Sequence, residues 1–214
     1  MVPHCDTTGT ILSQKMTLDF KGQPEDFCTS MDLQNEDFVI KAIQNHFPSH
    51  HIIGEESTGT GEIPPLSPNP TWIIDPIDGT TNFASGLPLT CVSIGLCVNK
   101  KPVIGVVYAP MTNELYMAVR GHGAYRNGVK LSVEPTTTTL RHVIVNFEFG
   151  YSRSDEIIAR MVGALQRLLQ HGCRATRCLG SGVLDLCYIA TGKMDVIYAG
   201  VASEGWKPWD YAMG

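Results

Sequence analysis

Two carboxylates three residues apart, Asp75 and Asp78, stand between an apolar run, Trp72-Ile73-Ile74, and a Gly79-Thr80-Thr81 step. The run is short and β-prone, which predicts a buried strand delivering its end to a surface crevice. Pro76 has no N–H to give a central strand, so a turn is expected between the two acids. Both carboxylates then point into one small volume, where their repulsion calls for a cation. Mg²⁺ takes oxygen ligands and is usually held by one or two carboxylates together with a phosphate. The Gly-Thr-Thr step can open a helix whose unpaired N–H groups and positive dipole end suit an anion. Metal plus phosphate is the chemistry expected. An isolated motif of this kind fits a strand, a turn and a helix cap equally well. Two other features weigh against that reading: Gly54-Glu55-Glu56-Ser57 upstream, and Trp209-Asp210 near the end of the chain.

The elements that must position these residues follow from periodicity and punctuation. A helix is expected from about Leu33 to Phe47, with Phe38, Val39, Ala42, Ile43 and Phe47 at helical spacing. Asp32, just before it, is a plausible N-cap and is also placed to face the metal crevice. Ile52-Ile53 predicts a short strand ending at Gly54-Glu55, and the Gly-, Pro- and Ser-rich stretch 58–70 predicts a loop. Four strands are expected at Thr90–Val98, Val103–Ala109, Glu114–Val119 and Ala124–Leu131, the last with an Asn127-Gly128 turn. Consecutive strands with short turns predict an antiparallel region. Pro135–Thr139 is expected to link two lobes, an N-terminal α+β lobe over 1–134 and a C-terminal α/β lobe over 140–214. The second lobe begins with a strand at His142–Phe147. Next comes a helix capped by Ser154, with Ile157, Ile158, Met161, Leu165, Leu168 and Leu169 inward and Gly172 ending it. Gly180-Ser181-Gly182 opens another helix, its glycines suiting either a hydroxylated substrate or tight helix packing. Asp195–Ala199 is a last strand before the loop with Glu204 and Asp210.

With 214 residues and 43% hydrophobic content, the chain can bury one good core, in one lobe or two. A net charge of −5 and the lack of any basic run or aromatic-basic stripe argue against a nucleic-acid partner. No apolar stretch approaches the ~18–20 residues of a membrane span, and no secretory leader pattern is visible. Seven scattered cysteines without a C-x-x-C pair predict reduced thiols in a cytoplasmic protein, not a zinc site.

Together, Gly54-Glu55-Glu56-Ser57, Trp72-Ile-Ile-Asp-Pro-Ile-Asp-Gly-Thr-Thr-Asn-Phe83 and Trp209-Asp210 resemble the inositol monophosphatase family of Mg²⁺-dependent, lithium-sensitive phosphatases. The resemblance runs from about Lys21 to the last residue. It implies an α/β fold, the layered α/β/α/β/α sandwich shared with fructose-1,6-bisphosphatase, and a homodimer in inositol metabolism that hydrolyses small polyol or sugar phosphates. It implies that Glu55 and Asp75, with the carbonyl of Ile77, hold a first metal, and that Asp75, Asp78 and Asp210 hold a second. Glu55 would also face a third ion, for two or three Mg²⁺ in all. Thr80, with Asp32 behind it, would orient and deprotonate the attacking water. The N–H groups of Gly79 and Thr80 would receive the phosphate, and Lys21 matches a basic position near the metals. Asp78, Asp210 and the Gly180-Ser181-Gly182 turn would contribute to the substrate site. Phosphate-ester hydrolysis needs a hydroxide near neutral pH and relief of charge on the leaving oxygen, and paired metals meet both needs.

The sequence departs from the family pattern in two places. Relatives commonly carry a substrate-contacting glutamate seven residues before the last metal aspartate. Here position 203 is serine, and the neighbouring Glu204 is either that contact or an exposed loop acid. The termini depart as well: the usual N-terminal helix is missing or shortened, and the chain stops just after Asp210, where relatives continue into a helix and strands. A fold incomplete at the C-terminus, with Asp210 on a poorly supported tail, is therefore expected. Competing readings within the family are histidinol-phosphate, fructose-1,6-bisphosphate and 3′-phosphoadenosine phosphatases. A non-enzymatic alternative is a catalytically dead metal-binding form. A phospho-aspartate mechanism of the haloacid-dehalogenase type is disfavoured, because two residues instead of one separate Asp75 from Asp78.

Overall fold

The computed structural model describes residues 18–21, 26–133, 139–199 and 206–212. Strands β1 (Leu18–Phe20) and β2 (Phe27–Thr29) pair antiparallel and run directly into helix α1 (Ser30–His46). A capping box starts α1. The Thr29 hydroxyl accepts from the Met31 N–H, and the Asp32 carboxylate accepts from the Thr29 N–H at 2.8 Å. Asp32 is therefore the third helical residue and not the N-cap, because Thr29 offers a better-placed cap one turn earlier. The inward face of α1 also differs from the expected stripe. Asp32, Glu36 and Ile43 are buried, whereas Phe38 is 60% exposed and Ala42 faces solvent. Hydrogen bonds made by the two acids fix the rotation of the helix at the expense of the aromatic.

The chain then builds a seven-stranded sheet. After β3 (His51–Gly54) and the single-turn helix α2 (Glu55–Thr58) come β4 (Thr71–Asp78) and helix α3 (Thr80–Ala84). Strands β5 (Cys91–Val98), β6 (Lys101–Ala109), β7 (Glu114–Val119), β8 (Gly123–Arg126) and β9 (Val129–Lys130) complete it. The strands lie in sequence order, with β3 and β4 parallel and every other pair antiparallel. Asn127 and Gly128, both at positive φ, form the β8–β9 turn. Pro76 does not end β4 as expected. Pairing with β3 stops at Ile74, and the register against β5 shifts between Asp75 and Asp78. Pro76 sits in that irregularity, where no ladder partner needs its missing N–H.

A 3₁₀ turn (Leu140–His142) leads to a second, three-stranded sheet. Its elements are β10 (Ile144–Glu148), helix α4 (Asp155–His171), β11 (Ala175–Arg177), helix α5 (Gly182–Ala190) and β12 (Val196–Ala199). All its pairs are parallel, in the order β11-β10-β12. The first crossover steps one way across the sheet and the second steps back, so right-handed connections put α4 and α5 on opposite faces. Ser154 caps α4 and Gly172 ends it, as expected, and Met161 is 1% exposed. Ile158 and Leu169, expected inward, are 42% and 56% exposed. Three short strands cover only one row of so long a helix.

Helix α5 lies between the sheets. Val183, Leu184 and Cys187 pack on Cys91, Val107, Ala109 and Tyr116 of the larger sheet, and the same helix touches β12. The last described element, α6 (Pro208–Tyr211), docks on β4 and β5. With α1 on the far side of the large sheet and α4 beyond the small one, the layers are α/β/α/β/α.

Candidate active site

The irregular end of β4, the α2 turn, the start of α3, the start of α5 and helix α6 enclose one cavity of about 790 Å³. Its lining includes Lys21, Glu55, Asp75, Ile77, Asp78, Gly79, Thr80, Gly180, Gly182 and Asp210. One carboxylate oxygen from each of Asp75, Asp78 and Asp210 lies within 4.8 Å of the other two. Glu55 enters the same cavity from α2, its carboxylate gripped by Lys21 Nζ at 2.9 Å. A second bond of equal length ties Lys21 to Glu56.

Each acid reaches this place by a local device. Asp75 accepts from the Ile77 N–H at 3.1 Å, which curls its carboxylate over the bulge. Asp78 accepts from the Ser181 hydroxyl, from the Val183 N–H at 3.1 Å and from the Cys91 thiol. Asp210 accepts from the Lys207 N–H, so it caps its own short helix. That helix is not an unsupported tail. Trp209 is 5% exposed among Ile53, Ile73 and Cys97, and its carbonyl accepts from Ser93 Oγ at 3.3 Å. Ala212 lies on Gly95, where an added Cβ would meet it at 3.0 Å.

Burial and crowding leave these groups short of compensating charge. Burial lifts Glu55 to about 7, with Lys21 opposing and Glu56 and Asp210 adding to the rise. Asp78 rises to about 6 through burial, against the hydrogen bonds from Ser181 and Val183. Asp210 rises to about 7 through burial and then the nearby Asp78. Asp75 is pushed well above the ordinary range by burial, then by Glu55, Asp78 and Asp210. Closely grouped buried oxygens of this kind, all acceptors, fit a hard cation such as Mg²⁺.

The remaining expected residues fall in and around the cavity. Gly79 precedes α3 at φ 82°, a left-handed conformation, and a Cβ there would lie 2.8 Å from the Leu89 carbonyl. Thr80 donates its hydroxyl to the Ile77 carbonyl at 3.2 Å. Asp32 is fully buried, with one oxygen engaged by Thr29 and Oδ1 lacking a partner among the described residues. Ser181 caps α5 and is 1% exposed, its hydroxyl given to Asp78. Glu204 lies outside the described residues.

Sequence reasoning missed several participants. Asn82 donates to the carbonyls of Leu89 and Leu179 at 2.9 and 2.7 Å, tying α3 to the turn before α5. Glu148 accepts from the N–H groups of Leu179 and Gly180 at 2.8 and 3.0 Å and so shapes the same turn. Glu36 grips the α2 turn. Of these, Asn82 stands within the Gly79-Thr80-Thr81-Asn82-Phe83 stretch and Glu36 is an acid one helical turn after Asp32, whereas Glu148 left no local signal.

Comparison with known proteins places this constellation. The model of the inositol monophosphatase family matches residues 7–214. Inositol monophosphatase 1 of Sus scrofa is 40% identical over 201 residues, covering 94% of this chain and 71% of the relative. Among solved structures, the extragenic suppressor protein suhB of Bartonella henselae aligns with a TM-score of 0.80 at 27% identity, over 96% of this chain and 74% of that one. An IMPase/NADP phosphatase complexed with Mg²⁺ and phosphate aligns with a TM-score of 0.75 at 27% identity, over 93% and 70%. The fold, the clustered acids and these likenesses agree: the chain belongs to the inositol monophosphatase family of metal-dependent phosphatases.

Proposed function

We propose that this chain hydrolyses inositol monophosphate, or a closely related small polyol or sugar phosphate, by attack of a metal-activated water. The observation that carries the reading is the meeting of Asp75, Asp78 and Asp210, with Glu55 beside them, in the lining of a cavity roomy enough for such a substrate. Glu55 and Asp75, with the Ile77 carbonyl, would hold one Mg²⁺, and Asp75, Asp78 and Asp210 a second. Bound Mg²⁺ supplies the charge that makes a coordinated water acidic and that neutralises the departing alkoxide oxygen. The N–H groups of Gly79 and Thr80 point phosphate oxygens toward the acids, since the left-handed Gly79 leaves room for close approach. Thr80 is the group that orients the attacking water. Helix α3 packs on β2, close to the start of α1. The Thr80 hydroxyl rests on the Ile77 carbonyl, and a turn of that hydroxyl toward the unpartnered Oδ1 of Asp32 would let Thr80 accept the water's proton as it passes its own to Asp32. The polyol lies toward Asp210 and the Gly180–Gly182 turn, where hydroxyl groups find acceptors.

The test is phosphate release from myo-inositol 1-phosphate with Mg²⁺, with and without millimolar Li⁺. Release that requires Mg²⁺ and falls with Li⁺ supports metal dependence, substrate class and inhibition pattern together. Release from other sugar phosphates but not from the inositol ester would move the substrate assignment. No release from any small phosphate monoester would overturn the reading.

A further inference from the structure

Helix α2 is four residues long, too short to hold itself by its own hydrogen bonds. Its N-cap, Gly54, makes no side-chain cap bond. The cap comes instead from α1. Glu36 Oε2 accepts from the Glu56 N–H at 2.8 Å and Oε1 from the Ser57 N–H at 2.7 Å. Each carboxylate oxygen thus takes one first-turn amide, and Glu36 is 4% exposed. Such buried, charge-assisted pairs are short and directional.

The fit extends to the residue before the turn. A Cβ on Gly54 would stand 2.5 Å from the Glu36 carboxyl carbon and from Oε2. Gly54 has φ −106°, which any residue adopts, so the reason for glycine is the approach of Glu36 and not the backbone angle. On its other side Gly54 is in register with Ile74, the residue before Asp75. Glu55 is therefore held between the ladder that positions Asp75 and the grip of Glu36 on the two amides that follow it.

We propose that Glu36 is a positioning residue of the metal site, clamping the Glu56 and Ser57 amides that follow Glu55 so that the Glu55 carboxylate is held beside Asp75. The proposal rests on the metal-dependent phosphatase reading above. Glu36 touches neither the cavity nor the reacting groups; it acts through Glu55. Loss of outer support of this kind costs about 10–100-fold in metal affinity.

The test compares Glu36→Asp with Gly54→Ala, both of which keep the charge of position 36 negative. The first withdraws the carboxylate by one methylene, and the second pushes it off the turn. Mg²⁺ binding is measured by calorimetry, and thermal unfolding is followed with EDTA and with saturating Mg²⁺. The expected result is a dissociation constant raised about tenfold or more in both variants. Mg²⁺ should also raise the midpoint of each variant less than that of the parent chain. Unchanged Mg²⁺ affinity in folded variants, with equal loss of midpoint in EDTA and in Mg²⁺, would overturn the proposal and leave Glu36 a structural cap. If Gly54→Ala does not fold, Glu36→Gln replaces it: it keeps one acceptor and turns a donor on the second amide, and weakened Mg²⁺ binding is again expected. A parent chain that binds no Mg²⁺ would instead remove the phosphatase reading itself.

Discussion

Asp75 and Asp210 arrive within a few ångströms of each other by opposite means. Asp75 belongs to β4, a strand flanked by β3 and β5, and its place is fixed by ladder pairing and one local bulge. Asp210 rides on the four-residue helix α6, 135 positions later, and its place is fixed by side-chain packing: Trp209 in the core and Ala212 against Gly95. One half of the site is held by backbone geometry and the other by docking. A backbone-held acid should tolerate loss of its charge without loss of fold, whereas a docked acid should be sensitive to changes in residues that never meet the substrate.

The largest expected effect tests the first half. Asp78→Asn should lower kcat/KM by about a hundredfold or more, because a metal ligand worth several kcal/mol is lost. The thermal midpoint in EDTA should hold or rise, since one buried charge has been removed. Near-normal turnover would refute the assignment of Asp78 to the metals.

Trp209→Ala tests the second half. Truncating this buried indole should cost about 3–5 kcal/mol of stability and weaken Mg²⁺ binding as Asp210 loosens. Stability lost with unchanged Mg²⁺ affinity would mean that Asp210 is placed by something other than this docking. Gly95→Ala is the milder version. Its methyl would meet Ala212 at 3.0 Å, so α6 must shift or the sheet must give, at about 1–3 kcal/mol.

A smaller effect should appear in the pH dependence of the metal-free protein. Glu55, Asp78 and Asp210 have folded-state values of about 7, 6 and 7, above the ordinary values of an unfolded chain. Between about pH 4 and 7 the folded chain therefore binds more protons, and its stability falls as pH rises. In EDTA the midpoint should be higher at about pH 5.5 than at about pH 7.5, and saturating Mg²⁺ should flatten or reverse that slope. A midpoint that rises with pH in EDTA would show that the cluster is not under the strain described.

The parts that could be read in the sequence are those in which neighbouring residues decide the outcome. The pairing of Asp75 with Asp78 ahead of Gly79, the Asn127-Gly128 turn and the Ser154 cap all act within a few positions of themselves. What could not be read depends on distant pairing. Pro76 was expected to end its strand because nothing local says that pairing with β3 stops at Ile74. Phe38 was expected inside because hydrophobic spacing carries no record of the two amides that Glu36 caps on another element. Ile158 and Leu169 have the pattern of an inward face, yet three strands are too few to cover it. Asn82 and Glu148 act on a turn about 97 and 31 residues away, contacts that no window of sequence encloses.

The Asp78 carboxylate, besides facing the other acids, receives the Ser181 hydroxyl and the Val183 N–H from 103 and 105 residues downstream. Closing so long a loop is entropically costly, and contacts of that separation form late. The site is thus finished only when the second sheet has folded and α5 has seated, so the order of assembly ends where the chemistry begins. Ser181→Ala should accordingly speed unfolding while leaving the refolding rate nearly unchanged, as expected for a contact made after the transition state. Slowed refolding in stopped-flow measurements would place this contact early instead.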